Sequence, residues 1–421
     1  MSKHFLWIML LFAAVLPADE DAWQELAQEA LQNNTDIQAA YERYRAATQN
    51  PDIAGQYPDP QLMWTHWLEP VETRLGPQEN VLNLTQRVPF PGKLSAREQQ
   101  AASAVDASLQ NLLKTRRDIL AQLKNLAWDL NRVEESIAVL EEFKMHFKPF
   151  ASSVSASYRS GRASQARLLQ IHVEEQLFDT KIALLANEKS ALTAKINALL
   201  NRPADSKLAK GLTPTRIDSL ENSAFWLARA DSLRQEQRML QANISETEYK
   251  VKEARRNYWP DFMIGATWAQ IGESVMPNPE SGRDALAINA GISIPLWQAP
   301  RNASVEKALR SGNAYQSALS GDKTMVAGQV RDLLFRFRTL KEQVRLYTEQ
   351  LVPQSREAHS SQMLGYESGQ ISFVEMLQSH HLWHRMELER IRLMTEQQKV
   401  AVELERLTGG NPRLINMNGE Q

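Results

Sequence analysis

Two short segments of this chain repeat each other across half its length. Tyr158-Arg159-Ser160-Gly161-Arg162-Ala163-Ser164 is followed by Leu168-Leu169-Gln170, and Tyr366-Glu367-Ser368-Gly369-Gln370-Ile371-Ser372 by Met376-Leu377-Gln378. The shared pattern, Tyr-x-Ser-Gly-x-x-Ser and then an apolar pair and Gln, recurs at an offset of 208 from Tyr158 to Tyr366. A chain made of two copies of one long unit must bury the same face twice, so the repeat constrains architecture before any side chain is assigned chemistry.

The second half copies the first in order. Each half opens with a helical stretch, Trp23 to Gln49 and Phe225 to Asn257, then meets a Pro-Asp cluster, Tyr57-Pro58-Asp59-Pro60 and Tyr258-Trp259-Pro260-Asp261. Two strand-like segments follow, then a proline-marked turn, Val88-Pro89 and Ile294-Pro295. A long helical region runs to the glycine motif, and a returning helix ends at Asn201-Arg202-Pro203 and Gly409-Gly410. The expected organisation is a leader over 1–18, a first repeat over 19–203, a linker over 204–224, a second repeat over 225–410 and a tail over 411–421. Within the repeats the strand pairs lie at about 61–88 and 262–294, and the helical hairpins at 92–202 and 300–408, with tips at Gly161 and Gly369.

The long helices carry coiled-coil spacing. Val105, Leu109, Leu112, Ile119, Leu123, Leu130, Val133, Ile137 and Leu140 fall at steps of three, four or seven, and Val330, Leu333, Phe337, Leu340, Val344, Tyr347 and Leu351 alternate three and four. Such a seam buries one stripe against a partner helix. On the returning helices Ile171, Phe178, Leu185, Leu192 and Leu199 are spaced by sevens, and the offset of 208 carries the last four onto Met386, Leu393, Val400 and Leu407. From Gly92 to Ser160 a continuous helix would span ~100 Å at 1.5 Å per residue, which implies an elongated molecule. Pro149 and Pro353 are expected to kink or interrupt these helices.

The strand segments have period two. Leu286, Ile288, Ala290, Ile292 and Ile294 alternate with small or polar residues, as do Phe262, Ile264, Ala266 and Trp268. Leu62, Trp64, His66 and Leu68, and Leu82, Leu84, Gln86 and Val88, alternate less cleanly. Five of the ten tryptophans (Trp64, Trp67, Trp259, Trp268 and Trp297) lie in or beside these segments, and alternation with flanking aromatics fits a transmembrane β-barrel. Glu69 to Asn80 and Ile271 to Asp284 are rich in Gly, Pro and charge and read as exposed loops. Four strands cannot close a barrel around water, and an open edge in lipid leaves backbone groups unsatisfied, so several chains must each contribute strands.

Composition narrows the class. Lys3 and His4 precede an apolar run from Phe5 to Leu16, and Leu16-Pro17-Ala18 offers a cleavage site before Asp19-Glu20-Asp21, the pattern of a secretory leader. The run is short of the ~20 residues of a membrane-spanning helix, and no later segment reaches that length. The chain has no cysteine, so neither a disulfide nor a lipid on an N-terminal Cys is available. A formal charge of −2 with no basic block argues against nucleic acid as a partner.

The order helix, strand pair, long helical region, glycine turn and returning helix, given twice, resembles the TolC family of outer-membrane efflux channels. The resemblance covers almost the whole chain after the leader. It rests on that order, on the paired turns and on the junction Gln86-Arg87-Val88-Pro89-Phe90-Pro91-Gly92-Lys93-Leu94, which is similar to the junction of members serving heavy-metal or cation exporters. The resemblance implies a mainly α fold with a β-barrel contribution, closing as a homotrimer into a twelve-stranded barrel in outer-membrane lipid and an α-helical tunnel across the periplasm. It implies a passive conduit with no catalysis and no cofactor, served by a periplasmic adaptor and an inner-membrane pump. The turns become adaptor-contacting tips with Arg159, Gly161, Arg162, Ser164, Gly369 and Ser372. Of the two acidic positions that line the closed entrance in the family, the first is matched by Glu375 and the second by Gln378, and Arg167 stands where the first repeat matches Glu375. A contact between Glu375 and Arg167 of neighbouring hairpins is the expected latch.

One further cluster carries potential chemistry. In His380-His381-Leu382-Trp383-His384, the pair His380 and His384 at i and i+4 shares a helix face and has the spacing to chelate a borderline ion, with Met376 and Met386 nearby. His381 stands where a zinc peptidase would carry Glu, so peptidase chemistry is not expected, and two ligands without a third make a weak site. The competing explanation is a pair of packed or exposed histidines. A heavy-metal version of the channel and a periplasmic coiled-coil adaptor remain the alternatives. A soluble hydrolase lacks a nucleophile and base constellation.

Overall fold

The computed structural model describes residues 18–208, 212–276 and 279–415. The elements in chain order are α1 (Ala18–Asn33), α2 (Thr35–Ala47), α3 (Asn50–Gly55), β1 (Gln61–Thr73), β2 (Gly76–Val88), α4 (Lys93–Arg159), α5 (Gln165–Leu199), α6 (Ser223–Leu233), α7 (Gln235–Arg256), β3 (Asp261–Ile271), β4 (Ala285–Ser293), α8 (Gln298–Leu346), α9 (Val352–Glu367), α10 (Phe373–Leu407) and α11 (Pro412–Ile415). A π-helical turn, Tyr347–Leu351, joins α8 to α9. Of the expected leader only Ala18, which opens α1, is among the described residues, and of the tail only the part containing α11. Among the described residues no helix is long and apolar enough to cross a membrane.

The chain divides into two compact units. The sheet unit gathers Ala40–Leu112 and Gln235–Thr324, and the helical unit gathers the described residues up to Ala39, Leu113–Arg234 and those from Met325 onward. In the sheet unit the strands lie in the order β1-β2-β3-β4, antiparallel throughout, so β2 of the first repeat pairs with β3 of the second. Register places like with like. Val88, Phe262 and Ile292 form one cross-strand row, Gln86, Ile264 and Ala290 the next, then Leu62, Leu84, Ala266 and Ile288, then Trp64, Leu82, Trp268 and Leu286. Four rows two residues apart cover roughly 20 Å at ~3.3 Å per residue. That approaches the apolar band, about 25 Å tall, of a membrane β-barrel. The face lies open: Ile288 is 89 % exposed, Leu286 78 % and Leu62 65 %. It ends at a polar row, where the His66 Nδ1–H donates to Asn80 Oδ1 at 2.9 Å and Asn80 Nδ2 donates to Gln270 Oε1 at 2.7 Å. The opposite face is mostly small and polar apart from Met63, Val81 and Met263, with Thr85 donating to Asn83 Oδ1 at 3.0 Å and Asn289 Nδ2 to Thr267 Oγ1 at 2.5 Å.

One loop expectation is corrected. Glu69 to Asn80 is mostly strand: Val71, Glu72 and Thr73 pair with Gln78, Pro77 and Gly76, leaving only Arg74 and Leu75 to turn. The register slips between His66 and Val71, and Pro70 falls in that irregular stretch, where no ladder hydrogen bond is demanded of it. Composition rich in Pro and charge marks an edge strand as readily as a loop.

The junction motif singled out in the sequence closes on the second Pro-Asp cluster. Asp261, at the start of β3, receives Lys93 Nζ at 2.7 Å, Arg87 Nη2 at 2.7 Å and the Phe90 backbone N–H at 2.9 Å. Lys93 also donates to the Trp259 carbonyl at 3.0 Å, and Phe90 stacks on Trp259 at 5.3 Å. Asp261 and Lys93 are buried, so each charge is held by its partner rather than by water.

In the helical unit the heptad faces are inward. Ile171, Phe178 and Leu192 are buried, as are Leu393, Val400 and Leu407 at repeat positions of the second copy. One core combines Trp226 and Ala230 of α6, Val326, Val330, Leu333 and Phe337 of α8, and Val400, Ala401 and Leu404 of α10. Each fully buried large aliphatic contributes about 1.5–3 kcal/mol by removal from water. The expected linker is tied down: Gln398, buried in α10, accepts from the Ile217 N–H at 2.8 Å and donates to the Ile217 carbonyl at 3.0 Å. The first helical stretch breaks at Asn34, whose Oδ1 accepts from the N–H groups of Asp36 and Ile37 and caps α2. Pro149 lies inside the continuous α4 and does not end it. Pro353 follows the π turn, in which the Val352 N–H bonds the Tyr347 carbonyl five residues back, and this shift takes up the bond a proline cannot make.

Asp261→Ala leaves buried Lys93 unpaired and is expected to destabilise the protein by about 3–5 kcal/mol. Denaturant melts of the detergent-solubilised protein check this. The double variant Lys93→Met with Asp261→Ala is expected to recover much of the loss.

Candidate functional site

Both glycine turns are built by one hydrogen-bond scheme. Gly161 N–H bonds the Tyr158 carbonyl at 2.9 Å and Arg162 N–H the Ser157 carbonyl at 2.8 Å. Gly369 N–H bonds the Tyr366 carbonyl at 3.0 Å and Gln370 N–H the Gly365 carbonyl at 2.8 Å. These are paired Schellman ends, which need a left-handed residue at the glycine, and φ is +74° at Gly161 and +75° at Gly369. A Cβ at either glycine meets nothing within 4 Å, so the demand for glycine is conformational and not steric. Each returning helix then starts on a serine. Ser164 Oγ accepts from Arg167 N–H at 3.4 Å and Ser372 Oγ from Glu375 N–H at 3.3 Å. Only the second turn completes a capping box, because Glu375 Oε2 accepts from Ser372 N–H at 2.9 Å while the matching Arg167 cannot accept. The Ser372 backbone and hydroxyl hold the Glu375 carboxyl below the usual carboxylate range.

Arg159, Gly161, Arg162, Ser164, Gly369, Ser372, Glu375 and Gln378 are all exposed, and Arg167 is half-buried. A groove of about 830 Å³ runs between the end of α4 and the second turn, with Phe150, Phe373, Tyr366, Arg167 and Glu367 in its walls. Phe150 and Phe373 stack at 5.5 Å with planes 6° apart, and the Arg167 guanidinium lies 5.9 Å over the Phe373 ring. Within the chain Arg167 therefore meets an aromatic face and Glu375 its own helix cap. No ion pair joins the two among the described residues.

Below the groove lies an aromatic core. Leu140, Phe143, Phe147, Phe150 and Val154 continue the α4 seam at steps of three and four, and all are buried. They pack with Ile171, Phe178, Phe373 and Met376. The three-and-four spacing of the seam thus runs on past Leu140 through Phe143, Phe147, Phe150 and Val154. His380 and His384 belong to this core, 2 % and 5 % exposed, among Phe143, Phe147 and Phe178 at ring separations of 5.5 to 6.0 Å. The His384 Nδ1–H donates to the His381 carbonyl at 3.0 Å. Among the described residues no group of three or more His, Cys, Asp or Glu is placed to hold a metal, and within this chain the two imidazoles serve as packing groups of the aromatic core.

The profile of the outer membrane efflux protein family matches residues 26–200 and 226–410, one match in each repeat. Comparison with curated proteins yields no match. Among solved structures the chain is similar to a membrane protein of Pseudomonas aeruginosa at 14 % identity and a TM-score of 0.78, covering 94 % of this chain and 91 % of that one. It is similar to the outer membrane protein VceC of Vibrio cholerae at 16 % identity and a TM-score of 0.75, covering 94 % and 99 %. The open state of the MtrE outer membrane channel of Neisseria gonorrhoeae aligns at 15 % identity and a TM-score of 0.74, covering 92 % and 89 %. Doubled repeats, antiparallel strands with an open apolar face, capped glycine turns and a profile match over both halves agree: the chain belongs to the outer membrane efflux protein family, the TolC-like channels of the outer membrane.

Proposed function

We propose that the chain is one subunit of a homotrimeric outer-membrane channel that passively conducts substrates delivered by an inner-membrane pump through a periplasmic adaptor. The observation that carries this reading is the sheet. Its four strands present an exposed apolar face, and β1 and β4 each end the sheet with an unpaired edge. In lipid such edges must be satisfied, and joining copies edge to edge supplies the missing partners. Three copies give twelve strands, with the row of Ile288 toward lipid and that of Asn289 toward the lumen.

The tips supply the second part of the reading. Their exposed residues differ in charge, with Arg159 and Arg162 on the first and Glu367 on the second, and both present backbone held rigidly by Schellman and capping bonds. Rigid, unlike tips suit docking of an adaptor's helical hairpin. Arg167 and Glu375 lie on the first turn of their returning helices and Gln378 on the second turn of α10. We place Glu375 at the channel entrance as a fixed negative charge. Substrate choice falls to the pump.

Three outcomes are expected. The full-length protein fractionates with the outer membrane as a detergent-stable trimer by native mass spectrometry, and a soluble monomer would overturn the reading. Ile288→Arg costs about 2–4 kcal/mol on the lipid face and depletes the membrane-inserted trimer, whereas Asn289→Lys on the other face leaves insertion intact. Glu375→Gln keeps an amide able to cap, so it lowers cation preference in planar-bilayer reversal potentials without moving the melting temperature. Ser372→Ala, by contrast, destabilises the returning helix by about 1 kcal/mol.

A further inference from the structure

Three imidazoles are buried in the aromatic core below the tips. His380, His384 and His359 are 2 %, 5 % and 7 % exposed. The His359 and His380 rings lie 5.0 Å apart and those of His380 and His384 6.3 Å. The Ser379 hydroxyl donates to the Met376 carbonyl at 2.6 Å, so the His359 Nδ1–H is the donor in its 3.2 Å bond to Ser379 Oγ. His384 likewise donates from Nδ1, so a proton added to either ring arrives at Nε2. His380 Nε2 is buried with no hydrogen-bond partner. The site is built for neutral rings.

We propose that His359, His380 and His384 make the tip half of the helical hairpins an acid-sensitive element, which loosens when the surrounding pH falls below neutral. A buried imidazolium with no acceptor, as at His380 Nε2, is costly, and three rings within 7 Å of their neighbours would also repel one another once charged. Charged and titratable groups face the cluster from each packed helix. α4 brings His146, 3.6 Å from Glu142. α5 brings Lys181 beside His384, and Glu174, which is 3.3 Å from His381. α9 brings Arg356, over the Trp383 ring at 5.6 Å, and α10 brings His381. Of the carboxylates there, Glu142 lies against His146 and Glu174 against His381, while Glu389 lines one cavity with His384 together with Arg132, Arg385 and Arg392. Burial, reinforced by His359 and His384, pushes His380 down to about 3. Burial and Lys181 push His384 down to about 4, and burial also lowers His359.

The sign follows from linkage. The opened chain takes up protons near pH 6.5 while the packed rings do not, so packing is fully favoured above that value and weakens as pH falls toward the lowered values. Any effect on transport rests on the reading of the tips as the channel entrance.

Hydrogen exchange of the full-length trimer in detergent, corrected for intrinsic rates, tests the proposal. A drop from pH 7.5 to 5 raises the opening of residues 143–178 and 355–388 by about 30-fold for each of His380 and His384 that opens, while carboxylates stay mostly charged. Peptides of the four strands serve as the control. His380→Phe keeps an aromatic filler and His380→Gln a smaller neutral one, and at least one is expected to cut the acid response tenfold or more. A wild-type response no larger than that of the strands, or an undiminished response in both variants, overturns the proposal. Conductance at the two pH values is read in parallel. An acid-induced rise that is lost in the variants supports both the element and the entrance. Acid opening by exchange with unchanged conductance supports the element and removes the tips from the entrance.

Discussion

The pairing of β2 with β3 is the contact on which the rest of the sheet depends. It joins strands from different repeats, across nearly two hundred residues of chain, and turns two hairpins into one four-stranded surface. A lone two-stranded hairpin buries too little to persist, whereas four strands in register present a face broad enough for lipid. Closing so long a loop costs entropy that local contacts do not return. The buried ion cluster at Asp261 offsets that cost, because it ties the end of β2 and the start of α4 to the first residue of β3. Register then fixes which side chains face out, since a slip of one residue would exchange Ile288 for Asn289.

The helical unit follows another logic. Its seams are continuous coiled-coil faces, but toward the turns the aliphatic filling gives way to Phe143, Phe147, Phe150, Phe178 and the imidazoles. Rings stack and meet edge to face, so this part of the core is held by orientation as well as by burial. The two turns share a backbone and differ in decoration: one is cationic with a single-sided cap, the other has a reciprocal capping box. Duplication preserved the bonds that shape the chain and released the side chains that decorate it.

Repeat equivalence misleads where helices rotate. His172 and His380 occupy matching positions, yet His172 is exposed beside Glu175 and His380 is buried. Ile171 fills the core of the first copy, so the inward face is displaced by one position between copies near the tips. No spacing rule carried that information, and the i, i+4 spacing of the histidine pair says nothing of the aromatic core that surrounds it. The strands of the first repeat were obscured for a related reason. Glu69 to Asn80 has loop composition, and pairing with an ordered neighbour makes most of it strand. Arg167 and Glu375 carry opposite charges at matching positions, and within the chain local geometry gives one an aromatic face and the other a helix cap.

Sequence by itself determined the doubling, the heptad faces, the glycine at each turn and the serine that follows. These depend on local periodicity and on backbone conformations that few residues adopt. It also marked Arg87, Lys93 and Asp261 as parts of recurring junctions without saying that they meet. Only the tertiary structure decided that the hairpins share one sheet, that the α4 seam continues as an aromatic core and that three histidines lie inside it. Those outcomes depend on which residues distant in the chain come to face each other, and burial, charge cost and protonation follow from that encounter rather than from spacing.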